Sequence, residues 1–367
     1  MKLSALTKVA AISGLAALTL TSCAANEQAP AASDGETSSS SLAGELIGAG
    51  ASSQDAAQNA WIAGFQTANS GVTVNYDPTG SGAGRETFQQ GASSFAGSDR
   101  AFEAEEITAG PFEACAVDSG IVEFPAYISP IALIFNVEGV ESLKLDAPTV
   151  AQIFEGKIAK WNDPAIADQN EGVELPDLAI TAVHRSDESG TTENFTDYLA
   201  AAAPDDWSVG AIESWPSEFG GEGAQGTSGV VAAVTSGVGT IGYADASQAG
   251  ELSTVEIKVG EEYVAYTPEA AAAIVDASPL EEGRGATDLA ITLDRKSTES
   301  GVYPIVLVSY LVGCEAYADP ANAELVKSYF SYIVSEEGQS AAAEAAGSAP
   351  ITASLRDKIT PAIDAIS

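Results

Sequence analysis

The feature that most restricts how this chain folds is a repeated order of strand, small-residue turn and helix. Residues 45–47 start a short strand, and Gly48-Ala49-Gly50-Ala51-Ser52-Ser53 makes a turn. A helix follows over about 54–68, with Ala57, Trp61, Ile62 and Phe65 spaced to share one face. Val72, Val74 and Tyr76 alternate as in a strand, and Gly80-Ser81-Gly82-Ala83-Gly84 turns into a short helix through Phe88. Residues 94–97 read as a buried strand ending at Ser98-Asp99. Residues 178–183 make another strand, and the turn 185–192 leads into a helix over about 193–202. Such alternation marks an α/β fold, in which ligand groups gather at the carboxyl ends of strands.

The first 41 residues read differently. Lys2 and Lys8 precede a mostly apolar run over 9–20, too short for a bilayer span of about 20 residues, so 1–22 predicts a secretory signal. Leu20-Thr21-Ser22-Cys23 resembles a bacterial lipoprotein signal, with Cys23 as the lipidated new N-terminus. Residues 24–41 carry no aromatic or large aliphatic side chain, so 23–41 predicts a lipidated Cys and flexible tether. The protein is expected on the outer face of the cytoplasmic membrane, held there by its lipid alone. The remaining stretch of about 325 residues exceeds what one core usually supports, which predicts two lobes. Residues 131–137 are apolar, but a run of that length suits a buried strand.

Two cysteines are left, Cys115 and Cys314, and an oxidising compartment favours a disulfide between them. With a single His, no metal site and no cofactor are expected. The formal net charge is −37, or −39 once Lys2 and Lys8 leave with the signal. Such acidity excludes nucleic acid as a partner. It does not exclude an anion ligand, because charges beyond about 10 Å are largely screened.

Three turns share one composition, Gly with Ser or Thr at a helix start. A helix N-terminus presents unpaired N–H groups and about half a positive charge; Gly admits close approach and hydroxyls add donors. Ser52-Ser53, Ser81 and Ser189-Gly190-Thr191 could together surround a tetrahedral oxyanion, although each alone also fits an ordinary helix cap. Arg185 stands four residues before Ser189 and offers a fork for a phosphate edge. Asp187 is placed to orient that arginine, and an exposed turn role fits nearly as well. Arg85 reads as an exposed helix residue.

The chain resembles the phosphate-binding proteins of phosphate ABC transporters, in the periplasmic-binding-protein superfamily. The resemblance rests on Gly48-Ala49-Gly50-Ala51, Gly80-Ser81-Gly82 and Gly97-Ser98-Asp99. It continues in Gly156-Lys157-Ile158-Ala159-Lys160-Trp161-Asn162-Asp163, residues 185–191, Trp215-Pro216 with Gly220-Gly221, and Gly239-Thr240-Ile241-Gly242-Tyr243. It implies a two-lobe fold with a ligand cleft and a two-strand hinge, crossing near 128–130 and returning near 303–309. The first lobe would comprise 42–129 and 303–367, and the second 130–302, leaving both cysteines in the first. The implied phosphate contacts are the N–H groups of Ser52 and Ser53, the Ser81 hydroxyl, the Asp99 carboxylate, and Arg185, Ser189, Gly190 and Thr191. His184 sits where relatives often carry a second basic residue and reads as structural or electrostatic. The implied role is capture of inorganic phosphate and its delivery to membrane-embedded permease subunits.

Asp99 makes sense in an anion site only if the ligand brings a proton. Phosphate near neutrality has a P–OH to donate, and sulfate has none, so sulfate would meet a buried, repelling acceptor. A site for another tetrahedral oxyanion, sulfate-like, is the rival expectation. An enzyme is not expected: the chain lacks G-x-S-x-G and H-E-x-x-H, and its one His stands beside Arg185.

Overall fold

A computed structural model describes residues 42–367; the signal-peptide, Cys23 and tether expectations lie outside these residues. The strands are β1 (Ala43–Gly50), β2 (Gly71–Asp77), β3 (Phe95–Ser98), β4 (Ile121–Asn136), β5 (Ser142–Leu145) and β6 (Thr181–Arg185). They continue with β7 (Glu222–Ala224), β8 (Thr240–Asp245), β9 (Ser253–Val259), β10 (Glu262–Val264) and β11 (Val306–Cys314).

Strand β4 joins two sheet halves. Its residues 121–130 pair antiparallel with β11, beyond which lie β3, β1 and β2. Its residues 131–136 pair antiparallel with β8, which continues to β6 and β7, while β9 branches off to β5 and β10. These halves are the sheets of the two lobes. The expected buried strand at 131–137 is therefore the second half of a longer one, buried along all but its last residue. Prolines mark where its ladder changes. The register with β11 slips between Ser309 and Tyr310, opposite Pro125 and Tyr127, and β4 leaves β11 at Pro130. Proline has no N–H to give a ladder, so bulges and ends are where a sheet tolerates it.

Helices cover both halves. Trp61 and Phe65 of the helix Asp55–Ala68 are buried against the first lobe, whereas Ile62 on the expected face is only half-buried. Phe95 and Phe124 each meet the ring of Phe330 edge-on, at 5.8 and 5.2 Å. Phe95 is fully buried, worth about 1.5–3 kcal/mol in apolar transfer. In the second lobe, Phe154, Phe195 and Tyr243 pack together. Cys115 and Cys314 are bonded, with Cα atoms 5.3 Å apart, at the outer end of β11.

Three expected boundaries move. Gly48–Gly50 belongs to β1, not to the turn, because the strand must press flat against β3: a Cβ at Gly50 would stand 1.9 Å from the Gly97 carbonyl oxygen. The strand expected at 178–183 is displaced to Thr181–Arg185. Leu178 and Ile180 spend their backbone groups on Trp161 and Ala159 instead of the ladder. The helix expected from 193 begins at Gly190, since the Ser189 hydroxyl already caps it by accepting from Thr192 N–H at 3.1 Å.

Candidate functional site

The three small-residue helix starts come from both lobes and lie at carboxyl ends of strands. β1 leads into the turn Ser52–Gln54, which opens the helix Asp55–Ala68. Gly80, with φ of 110°, swings the chain after β2 into the helix Ser81–Gln89. β6 leads through 186–189 into the helix Gly190–Ala202. Ser53, Ser81, Ser189 and Thr191 are all buried.

Asp99, just past β3, is the centre on which these starts converge. Its Oδ1 accepts from the hydroxyls of Ser53 at 2.6 Å and Ser309 at 2.7 Å, and its Oδ2 from the Thr191 hydroxyl at 2.7 Å. Its own N–H donates to the Ser81 hydroxyl oxygen at 3.1 Å. Asn194 grips the loop from the opposite lobe, donating to the Asp99 carbonyl at 2.5 Å. Burial pushes the Asp99 carboxyl above the ordinary aspartate value, while the three hydroxyls and Arg185 pull it back. A carboxylate has about four acceptor positions, and three hydroxyl donors leave one for a ligand proton.

Arg185 ends β6, buried with Asp187 as its clamp. Its Nε donates to Asp187 Oδ1 at 2.7 Å, and a terminal nitrogen donates to Oδ2, making a bidentate pair. Burial alone would raise the Asp187 carboxyl, but the hydrogen bonds and charge of Arg185 outweigh it and hold the group below its usual value. Gly226 N–H adds a third donor to Asp187 at 3.1 Å. The arginine's backbone N–H is fixed by the Tyr243 hydroxyl at 3.1 Å. Of the two roles open for Asp187, orientation of Arg185 is the one this geometry supports; an exposed turn position does not describe a side chain 13% accessible.

Residues 35–337 match the PBP superfamily domain. The phosphate-binding protein PstS2 of Mycobacterium bovis is 34% identical, over 98% of this chain and 98% of its own. The phosphate-binding protein PstS 3 of Mycobacterium leprae is 36% identical over 88% of this chain and 87% of its own. The chain belongs to the PBP superfamily and, within it, to the PstS family. A solved high-affinity periplasmic phosphate-binding protein, with phosphate bound, superposes with a TM-score of 0.70 at 20% identity. It covers 87% of this chain and 93% of the other, and it shows the two-lobe fold.

Against this family frame, Arg85 is the expectation that fails. It is 3% exposed, not a solvent-facing helix residue. Its helix turns that face toward β3 and the second lobe, where Arg85 donates to Ser98 Oγ at 2.8 Å and to both oxygens of Glu213 at 2.8 and 2.6 Å. His184 is half-buried and stacks on Trp215, with centroids 4.9 Å apart. Burial lowers its pKa, and its Nδ1 lies 2.9 Å from the Arg185 carbonyl, so it braces the turn. Ser52 reaches across the cleft to Thr227, whose N–H donates to Ser52 Oγ at 3.0 Å.

Ser309, Asn194 and Thr227 are polar residues of the site that sequence reasoning did not single out. For Ser309 a signal existed: it is the lone small hydroxyl in the apolar run of β11, Val306–Cys314. The β-bulge beside it helps aim the hydroxyl at Asp99. Thr227 carried the same mark as the three turns, Gly226-Thr227-Ser228 at the start of the helix Gly226–Ser236, and was passed over, whereas Asn194 lies inside a helix with no mark of its own.

Proposed function

We propose that this chain captures inorganic phosphate outside the cytoplasmic membrane and hands it to the permease subunits of a phosphate ABC transporter. The observation that carries this is the Asp99 carboxylate, ringed by hydroxyls from both lobes and facing a clamped Arg185. A site for a fully deprotonated anion has no use for a buried carboxylate. A site for a ligand with one P–OH does, since that proton can occupy the remaining acceptor position. The N–H groups of Ser52 and Ser53, the Ser81 hydroxyl, Arg185, Ser189, Gly190 and Thr191 would supply the donors to the other oxygens. The names of the PstS relatives support the same ligand. Capture without turnover is supported by the names of these relatives, which are those of binding proteins.

In this reading lobe 1 comprises 42–129 and 303–367 and lobe 2 comprises 130–302, hinged where β4 changes partners. Residues 1–22 serve as the signal, and lipid on Cys23 with the tether to 41 holds the globule at the membrane. Calorimetric titration with phosphate and with sulfate tests the ligand: tight phosphate binding with no competition from excess sulfate is expected. Comparable sulfate binding would replace this reading with the broader oxyanion one. Cys23→Ala should free the protein from the membrane and leave the phosphate titration unchanged.

A further inference from the structure

Beyond the residues around Asp99, the cleft is bridged by a charged cluster with an unequal division between lobes. Arg85 and Arg100 belong to the first lobe; Glu213, Glu193 and Glu188 belong to the second. Arg100 carries its own carboxylate: its terminal nitrogens pair with Glu106 of the same lobe at 2.6 and 2.9 Å. Arg85 has no such partner among the described residues. Its contact within its lobe is the neutral Ser98 hydroxyl, and its carboxylates, Glu213 at 2.6 Å and Glu188 at 3.8 Å, both come from across the cleft. Glu213 in turn meets its two cations, Arg85 and Arg100 (2.9 Å), only across the cleft.

Glu213 is also wired to the ligand loops on each side. Its carbonyl accepts from Ser189 N–H at 3.1 Å, at the start of the donor helix in the second lobe. Its carboxylate holds Arg100, the neighbour of Asp99, and Arg85, which holds Ser98 on the other side of Asp99. We propose that Glu213 is a positioning residue for ligand retention, clasping Arg85 and Arg100 as the lobes close and so locking the Asp99 and Ser189 loops over the anion. This rests on the phosphate reading for its ligand, though the clasp itself pairs two parts of the protein. The Arg85 and Glu213 side chains are 3% and 12% exposed, so salt screens the contact weakly. Breaking it is part of every opening event, and its effect belongs to release rather than to capture.

Stopped-flow measurement with inorganic phosphate on the full chain tests this. Glu213→Gln should release phosphate about tenfold faster or more, with the association rate changed less than about threefold. The ligand-free melting temperature should change little, because without ligand the clasp is made only in a minor closed population. Arg85→Gln should raise release similarly, and the double variant should be no worse than either alone. Release by Glu213→Gln within about twofold of the parent overturns the clasp, whatever Arg85→Gln does to folding. A parent that fails to bind phosphate overturns the ligand assignment instead. The clasp is then decided by the distance between spin labels at Glu171→Cys and Glu344→Cys without ligand. Depletion of the short-distance population by Glu213→Gln upholds it, and identical distributions refute it.

Discussion

Thr191 and Asp99 meet at 2.7 Å although 92 residues and the whole cleft separate their elements. The contact joins the first turn of a second-lobe helix to the loop after β3 of the first lobe, and with the clasp it makes this the closed form. In this closed arrangement three of the acceptor positions of Asp99 are filled by hydroxyls and one is left for the ligand. A P–OH can use the last one; sulfate cannot.

Asp99→Asn is therefore expected to relax selectivity more than it weakens phosphate. The parent should reject sulfate by about 10⁴-fold or more, as sites with a buried unpaired acceptor do. In the variant an amide N–H replaces the lost acceptor, and the ratio should fall at least about tenfold. Paired titrations of parent and variant measure it; an unchanged ratio would show that another group discriminates.

Arg185 separates charge from shape. Arg185→Lys keeps the charge but cannot span both Asp187 and the ligand, and loss of one charged hydrogen bond costs about 1.5–3 kcal/mol. Arg185→Ala should lose about 3–5 kcal/mol, since Asp187 stays buried without its cation. Equal phosphate affinity in the lysine variant and the parent would rule out the bidentate role.

How much of this was legible before the structure depends on the distance over which each signal acts. Glycine, serine and threonine at helix starts are local marks, so Ser53, Ser81 and the turn from Arg185 to Thr191 could be placed from sequence, whereas Asp99 was implied by the family resemblance; the structure brings them together. Arg85 was misjudged because its burial depends on Glu213, 128 residues away in the other lobe. Pairings of that kind leave no periodicity. The displaced strand at Thr181–Arg185 has the same cause, since Leu178 and Ile180 were diverted to residues near 160.

Reducing the Cys115–Cys314 bond should weaken the fold and spare the site. The bond closes a separation of 199 residues, for which chain entropy gives about 5 kcal/mol. Urea unfolding of Cys115→Ala should show a loss of that order, and phosphate affinity should hold within about twofold because Cys314 ends β11, Cys115 lies in the segment before β4, and neither touches Asp99. A large loss of affinity at full folding would mean that the bond shapes the cleft.

Asp245 at the end of β8 sets a pH dependence near the hinge. It is fully buried, accepting from the Tyr127 hydroxyl at 3.0 Å and Ser247 N–H at 2.9 Å, and burial raises its pKa from 3.8 to about 6. An acid raised in the folded state costs stability where it must ionise, so the cost is absent below about 3.8 and complete above about 6. Two pKa units correspond to about 3 kcal/mol. Asp245→Asn should therefore gain on the parent by roughly that amount between pH 4 and pH 7.5. A stability difference that stays flat with pH would show that Asp245 titrates normally.

Gly190 separates closure from folding. Its backbone is helical, so alanine fits its φ and ψ, but a Cβ there would stand 2.8 Å from Asp99 Cβ and 2.9 Å from Ser81 Oγ. Both neighbours belong to the opposite lobe, and the crowding exists only when the lobes are shut. Gly190→Ala should leave the ligand-free protein as stable as the parent, or slightly more so through helix propensity. Phosphate affinity should fall by about 1–3 kcal/mol, roughly 5- to 150-fold, as overpacking at a tight contact does. Gly50→Ala is the contrast: its Cβ would strike Gly97 within the first lobe, and its φ of 145° suits glycine, so it should destabilise the protein with or without ligand. Calorimetric titration and thermal melts on both variants read the difference. If Gly190→Ala binds phosphate like the parent, the lobes do not close as tightly in the bound state as Thr191 and Asp99 do here.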